Sequence, residues 1–199
     1  MSNQDLSKAF SALSNGELIV YPTDTLYGIG ADVFNREAVK KVFEIKKRPF
    51  NQPISVAVSC VEDLEKIAFI DERTERIIDV FLPGNLTLVL KKKKIISDVV
   101  TSGHNNVAIR IPDNKIALEL LSIFGPLTCT SANISGQKTP SVISDISMHF
   151  KPEDISVYLD DGALEDKPST IVDLTFDKPK ILRDGKISEK QIMDAIGNE

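Results

Sequence analysis

The sequence predicts an α/β fold: a single domain over residues 1–199, with a twisted mixed sheet flanked by helices. Three observations carry this. Apolar stretches of helical period alternate with short β-like runs from end to end. Hairpin-length connections coexist with strand–helix–strand spacings, which requires parallel and antiparallel neighbours together. With 199 residues, 42% hydrophobic and 27% charged, the chain can build one ordinary core.

The elements follow in order. Leu6, Phe10 and Leu13 share a helical face, and Gly16 is a stop signal. Residues 18–21 read as a buried strand ending at Pro22. Asn35 is placed to cap a helix that turns Ala38, Val42 and Ile45 inward and halts before Pro49. Residues 54–58 form the next strand. Ser59 with Glu62 makes a capping box for a short helix. Residues 72–80 read as helix, and Pro83-Gly84 turns the chain into a strand over 86–90. Residues 107–111 form a strand broken at Pro112. A helix then begins at Asp113, with Ile116, Leu120 and Phe124 inside and Gly125 as its end. A short strand over 127–130 feeds a polar loop and a weak helix over 141–149. Strands follow at 155–159, 170–174 and 180–182. Ser188 and Gln191 form a capping box for the last helix, which stops near Gly197.

Several chemistries are excluded. There is no G-x-x-x-x-G-K-[ST] loop, and Gly28-Ile29-Gly30 lacks the third glycine of a dinucleotide fingerprint. No G-x-S-x-G elbow is present. His104 and His149 are the only histidines, too few for a histidine-rich metal site, and read as surface or loop residues. Cys60 and Cys129 cannot build a disulfide framework and suit a reducing cytosol, so a cytoplasmic location is expected. No signal-peptide pattern opens the chain, and no apolar run approaches the ~20 residues of a membrane helix. A net charge of −5 argues against a general nucleic-acid coat.

Polar residues gather where strands and helices end, the positions at which scaffolds present chemistry. Thr23, Asp24, Thr25 and Tyr27 follow the first strand. Lys46, Lys47 and Arg48 end a helix. Ser131 and Asn133 follow a strand, Ser169 starts one, and Arg183 follows another. Cations and hydroxyl or amide donors with few obligatory acids suit a polyanion such as a nucleotide. Taken alone, residues 46–48 read as a solvated helix terminus, and Lys91 to Lys94 as a solvated loop or edge-strand protector. Arg110 differs. A strand arginine between apolar neighbours needs an anionic partner.

Seven blocks stand in order: Tyr-Pro-Thr-Asp-Thr-Leu-Tyr-Gly-Ile-Gly (21–30), Lys-Lys-Arg-Pro (46–49), Pro-Gly-Asn-Leu-Thr-Leu-Val-Leu (83–90), Val-Ala-Ile-Arg-Ile-Pro (107–112), Thr-Ser-Ala-Asn-Ile-Ser-Gly (130–136), Pro-Ser-Thr-Ile-Val-Asp (168–173) and Ile-Leu-Arg-Asp-Gly (181–185). Together they resemble the YrdC/TsaC family of threonylcarbamoyl-AMP synthases over roughly residues 5–197. The resemblance implies a sheet curved around a large basic concave cavity. It implies that L-threonine, bicarbonate and ATP give threonylcarbamoyl-AMP and pyrophosphate, and that a separate transferase complex uses the adenylate to modify adenosine 37 of tRNA.

It also implies roles. Thr23, Arg110, Cys129 and Ser169 match L-threonine contacts. Lys46 and Arg48 form the K-x-R signature at the phosphates and are the catalytic candidates. Arg48, Gln52, Asn106, Ser131, Asn133, Thr139 and Arg183 match nucleotide contacts. Mg²⁺ is expected to arrive with ATP and keep mostly water ligands, since no carboxylate cluster is visible. Ala57 stands where longer members carry a histidine, and the extra C-terminal domain of those members is missing. The alternative is a double-stranded RNA or tRNA-binding module of the same fold, drawing on Lys40, Lys41, Lys46 to Arg48 and Lys91 to Lys94. Weak RNA binding is compatible with either.

Overall fold

The computed structural model describes residues 3–164 and 167–197. Its strands divide into two mixed sheets. The four-stranded sheet runs β7 (Thr130–Ser131), β2 (Gly28–Gly30), β1 (Ile19–Tyr21), β8 (Val157–Tyr158). The six-stranded sheet runs β10 (Lys180–Arg183), β9 (Thr170–Asp173), β4 (Leu86–Lys91), β5 (Asn106–Arg110), β3 (Val56–Ala57), β6 (Leu127–Thr128). The expected mixture is present, as β1 is antiparallel to β2 and parallel to β8, while β4 is antiparallel to β5 and parallel to β9. One sheet was expected, and two are found because residues 127–131 cross over. Thr128 pairs with Val56 of the larger sheet, and Ser131 pairs with Gly28 of the smaller. Cys129 is the residue between.

Eight helices are found among the described residues: α1 (Asn3–Ser14), α2 (Arg36–Ile45), α3 (Val61–Ile67), α4 (Glu72–Phe81), α5 (Asp98–Thr101), α6 (Lys115–Phe124), α7 (Ile143–Ser147) and α8 (Glu189–Ile196). None is long and apolar enough to cross a membrane. The caps read from sequence form at α2 and α8. Asn35 Oδ1 accepts from the amides of Glu37 and Ala38, and Ser188 with Gln191 completes a capping box. Two caps differ. Ser59 donates to the Asp63 carboxylate at 2.6 Å, and Cys60 takes the α3 N-cap position without a side-chain capping bond. The α6 cap is Asn114, whose side chain accepts from Ala117 N, one residue after Asp113.

Both faces of β1 are covered. Val20 joins the main core, while Ile19 and Tyr21 join a second cluster with Leu6, Leu13, Leu120 and Leu121 from α1 and α6. Fully burying each such side chain contributes about 1.5–3 kcal/mol. Gly28-Ile29-Gly30 is a strand, and its glycines make room for an aromatic ring. A Cβ on Gly30 would come within 3.0 Å of the Tyr21 ring. Lys91 to Lys94 do not guard an edge, because β4 lies inside its sheet. Lys92 Nζ instead holds α5, meeting Asp98 at 2.5 Å and Thr101 at 3.0 Å, and Lys93 donates to the Glu65 carbonyl.

Candidate functional site

Arg110 closes β5 and pairs in register with Ala57 of β3. It is only 5% exposed. The partner its setting demanded is Asp24, in the loop after β1. Arg110 Nη2 meets Asp24 Oδ1 at 2.5 Å, and both side chains are over nine-tenths buried. Nη2 also approaches the Gly84 carbonyl at 3.3 Å, and Nη1 donates to Thr25 Oγ1 at 3.0 Å. Thr25 and Thr23 are joined hydroxyl to hydroxyl at 3.0 Å. Thr23 Oγ1 in turn donates to the Leu26 carbonyl and accepts from the Thr25 and Leu26 amides. Thr23 therefore shapes the turn that presents Asp24 and Thr25 to Arg110.

Ser169 and Arg183 lie beside this pair. Arg183 Nε and Nη2 reach the Ser169 carbonyl at 3.0 and 2.8 Å, and Nη2 reaches Ser169 Oγ at 3.1 Å. Ser169 Oγ also meets Thr87 Oγ1 of β4 at 2.8 Å. Gly185 permits the close approach, since a Cβ there would sit 2.3 Å from Thr170 N. Burial, with the like charge of Arg110, lowers the Arg183 pKa. Burial pushes the Cys129 thiol up, opposed in part by the Arg110 charge; Asp24 and Arg183 also act on it. Arg110, Arg183, Cys129 and Ser169 thus share one neighbourhood.

A second group forms at the end of α2. Lys46 is 1% exposed. Its Nζ donates to the carbonyls of Ser131 and Asn133, the latter at 2.8 Å, and to Asn133 Oδ1 at 3.0 Å. Ser131 Oγ donates to the same Oδ1 at 2.6 Å, and Asn133 Nδ2 donates to the Gln137 carbonyl. Burial, with repulsion from Arg48, lowers the Lys46 pKa to about 7, although only an ammonium satisfies all three oxygens at once. Arg48 Nε donates to the Gln52 carbonyl at 3.0 Å and Nη2 to the Pro53 carbonyl at 2.8 Å. Burial lowers the Arg48 pKa as well.

The 127–131 crossing joins the groups. Cys129, beside Arg110, and Ser131, beside Lys46, are two residues apart, and Cys129 N is tied to the Ser55 carbonyl at 2.7 Å, just past the carbonyls that hold Arg48. Thr139 is buried two residues beyond Gln137. Asn106 is not brought in. It opens β5 and Arg110 ends it, about 13 Å away at strand rise; Asn106 Nδ2 faces Thr175 at 3.4 Å. Lys46, Arg110 and Ser169 are buried and face protein oxygens. A cleft of about 1070 Å³ lies elsewhere, lined by Phe69, Arg73, Leu174, Phe176 and Met193.

Sequence reasoning gave no role to three residues and too small a role to a fourth. Tyr21 Oη donates to the Thr128 carbonyl at 3.0 Å, under Cys129. Thr87 supports Ser169. Ser135, whose amide donates to the Lys46 carbonyl, keeps a buried hydroxyl without a partner. Asp24 was noted only as one polar loop residue. Its pairing with Arg110 spans 86 positions and leaves no local signal.

The Sua5/YciO/YrdC family model, described as telomere recombination, matches residues 11–185. A putative threonylcarbamoyl-AMP synthase of Methanocaldococcus jannaschii is 42% identical, covering 87% of this chain and 82% of that protein. A crystal structure of P. abyssi Sua5 complexed with L-threonine superposes with a TM-score of 0.94 at 35% identity, over 99% of this chain and 58% of that one. E. coli YciO superposes with a TM-score of 0.89 at 27% identity, over 96% of this chain and 94% of that one. The chain therefore spans little more than half the length of the archaeal Sua5.

Proposed function

The chain belongs to the Sua5/YciO/YrdC family, and from that premise we propose that it is an L-threonylcarbamoyladenylate synthase. It converts L-threonine, bicarbonate and ATP to threonylcarbamoyl-AMP, pyrophosphate and water, an adenylyl-transfer (nucleotidyltransferase) reaction, in the cytoplasm. A separate transferase complex consumes the adenylate to modify tRNA.

One observation carries this reading. The crossing segment runs past two cation-bearing groups: Cys129 lies within the field of Arg110 and Arg183, and Ser131, two residues on, accepts from Lys46, the neighbour of Arg48. The threonine amine adds to bicarbonate-derived CO₂, and the resulting carbamate oxygen attacks the α-phosphorus as pyrophosphate leaves. Both partners are anions, so repulsion is the obstacle, and positioned cations lower it. Arg110 orients the amino-acid carboxylate. Arg48 and Arg183 neutralise phosphate charge. Lys46, fully engaged with Ser131 and Asn133, holds the S-x-N loop to the nucleotide side. Thr23, Cys129 and Ser169 line the amino-acid side; Gln52, Ser131, Asn133 and Thr139 line the nucleotide side. Magnesium enters as part of the ATP substrate. No three of His, Cys, Asp and Glu gather into a metal site among the described residues.

Incubation with ATP, L-threonine and bicarbonate tests the proposal. Pyrophosphate release should require all three. Release with valine at a comparable rate would overturn the threonine assignment, because a pocket that hydrogen-bonds a hydroxyl strongly rejects an analogue lacking it.

A further inference from the structure

The buried pair of Arg110 and Asp24 is only half made. A carboxylate and a guanidinium can join through two parallel hydrogen bonds. Here one oxygen, Oδ1, meets one nitrogen, Nη2. Asp24 Oδ2 and Arg110 Nε are both buried and both lack a partner. Such groups are ordinarily satisfied in a folded protein, and each unmet group needs an explanation. One is a free acceptor on an anion, the other a free donor on a cation. The pair as a whole is neutral.

An α-amino acid is the complement of that arrangement. Its carboxylate accepts from a guanidinium, its ammonium donates to a carboxylate, and its net charge is zero. We propose that Asp24 receives the α-ammonium of the amino-acid substrate. The ligand exchanges one buried ion pair for two: its carboxylate takes the Arg110 fork, and the released Asp24 carboxylate turns to its ammonium. A zwitterion performs the exchange with no change in buried charge. A carboxylate without an amine would leave Asp24 beside a second anion, and an amine without a carboxylate would leave Arg110 uncompensated; either charge, buried alone, is costly. Asp24 therefore selects for the amino acid as such, while the hydroxyl of Ser169 is left to choose among side chains. The proposal deepens the synthase reading and rests on it for the identity of the amino acid.

Calorimetric titration of the intact chain with three probes tests it: L-threonine, 3-hydroxybutanoate (threonine without its amine) and L-threoninol (threonine without its carboxylate). The wild-type chain should bind L-threonine at least tenfold more tightly than either analogue. Asp24→Asn should weaken L-threonine at least tenfold and bring 3-hydroxybutanoate to within threefold of it. Binding of 3-hydroxybutanoate to the wild-type chain within threefold of L-threonine would overturn the assignment, and that comparison stands even if the variant does not fold. A variant that retains the full preference for L-threonine would overturn it too. Should another amino acid bind best while its amine-free counterpart is rejected, Asp24 keeps its role and the threonine reading fails.

Discussion

Lys46 Nζ donates to both oxygens of one residue, the carbonyl and the side-chain Oδ1 of Asn133. An ammonium at the end of a helix thereby fixes a loop 87 positions away. Lys46→Met keeps the stem and removes the three donated bonds. Pyrophosphate release should fall by up to ~10², the cost of misplacing groups that position the substrate. Amide exchange across residues 131–137 should accelerate in the same variant. Unchanged exchange there would separate Lys46 from the loop.

The same lysine sets a pH dependence. Its folded pKa is about 7, below the ordinary value of 10.5. Below about pH 7 the folded lysine is the ammonium that donates all three bonds; between the two values the unfolded chain binds the proton and the folded chain does not, so stability rises with pH across that window. The slope from this group is at most ~1.4 kcal/mol per pH unit. Thermal unfolding from pH 7 to 9.5 should show the rise, and Lys46→Met should flatten it.

Arg48→Ala should lower turnover by ~10²–10³ if the guanidinium neutralises phosphate. Asn106→Ala should change neither turnover nor the KM for ATP by more than twofold, because the residue lies at the other end of β5 from Arg110. Parallel steady-state kinetics of the two variants compare the two ends of the strand directly.

Gly185→Ala forces a Cβ into the backbone of Ser169 and Thr170. Overpacking of this kind costs about 1–3 kcal/mol. Urea unfolding should report the loss. The KM for substrate should also rise, since Arg183 is displaced from Ser169.

RNA binding should be weak. Lys40 pairs with Glu37, Lys41 Nζ meets the Gly16 carbonyl, Lys46 is buried, and Lys92 pairs with Asp98. These four cations are engaged within the chain, which leaves fewer of them to meet phosphates. A filter-binding titration of duplex RNA should give a shallow salt slope; a steep one would restore the RNA-binding alternative.

Local features were legible in the sequence because they are settled within a few residues. Asn35 and Ser188 sit where their side chains meet amides two or three positions on. The need of Arg110 for an anion was legible from its apolar neighbours. The identity of that anion was not, because Asp24 is brought in by folding. The division into two sheets depends on which strands residues 127–131 choose, again a nonlocal matter. Lys46 misled for a different reason. A cation at a helix end ordinarily points to water, and only the carbonyls of Ser131 and Asn133 draw this one inside.

The crossing at Cys129 has a mechanical consequence. Cys129 and Ser131, proposed to face the amino acid and the phosphates, are spaced by covalent geometry, about 3.3 Å per residue. An inserted residue between Cys129 and Ser131 would send the serine hydroxyl to the opposite side of its strand. Under the proposed roles, the gap between the two reactants is written into the chain as a ruler two residues long.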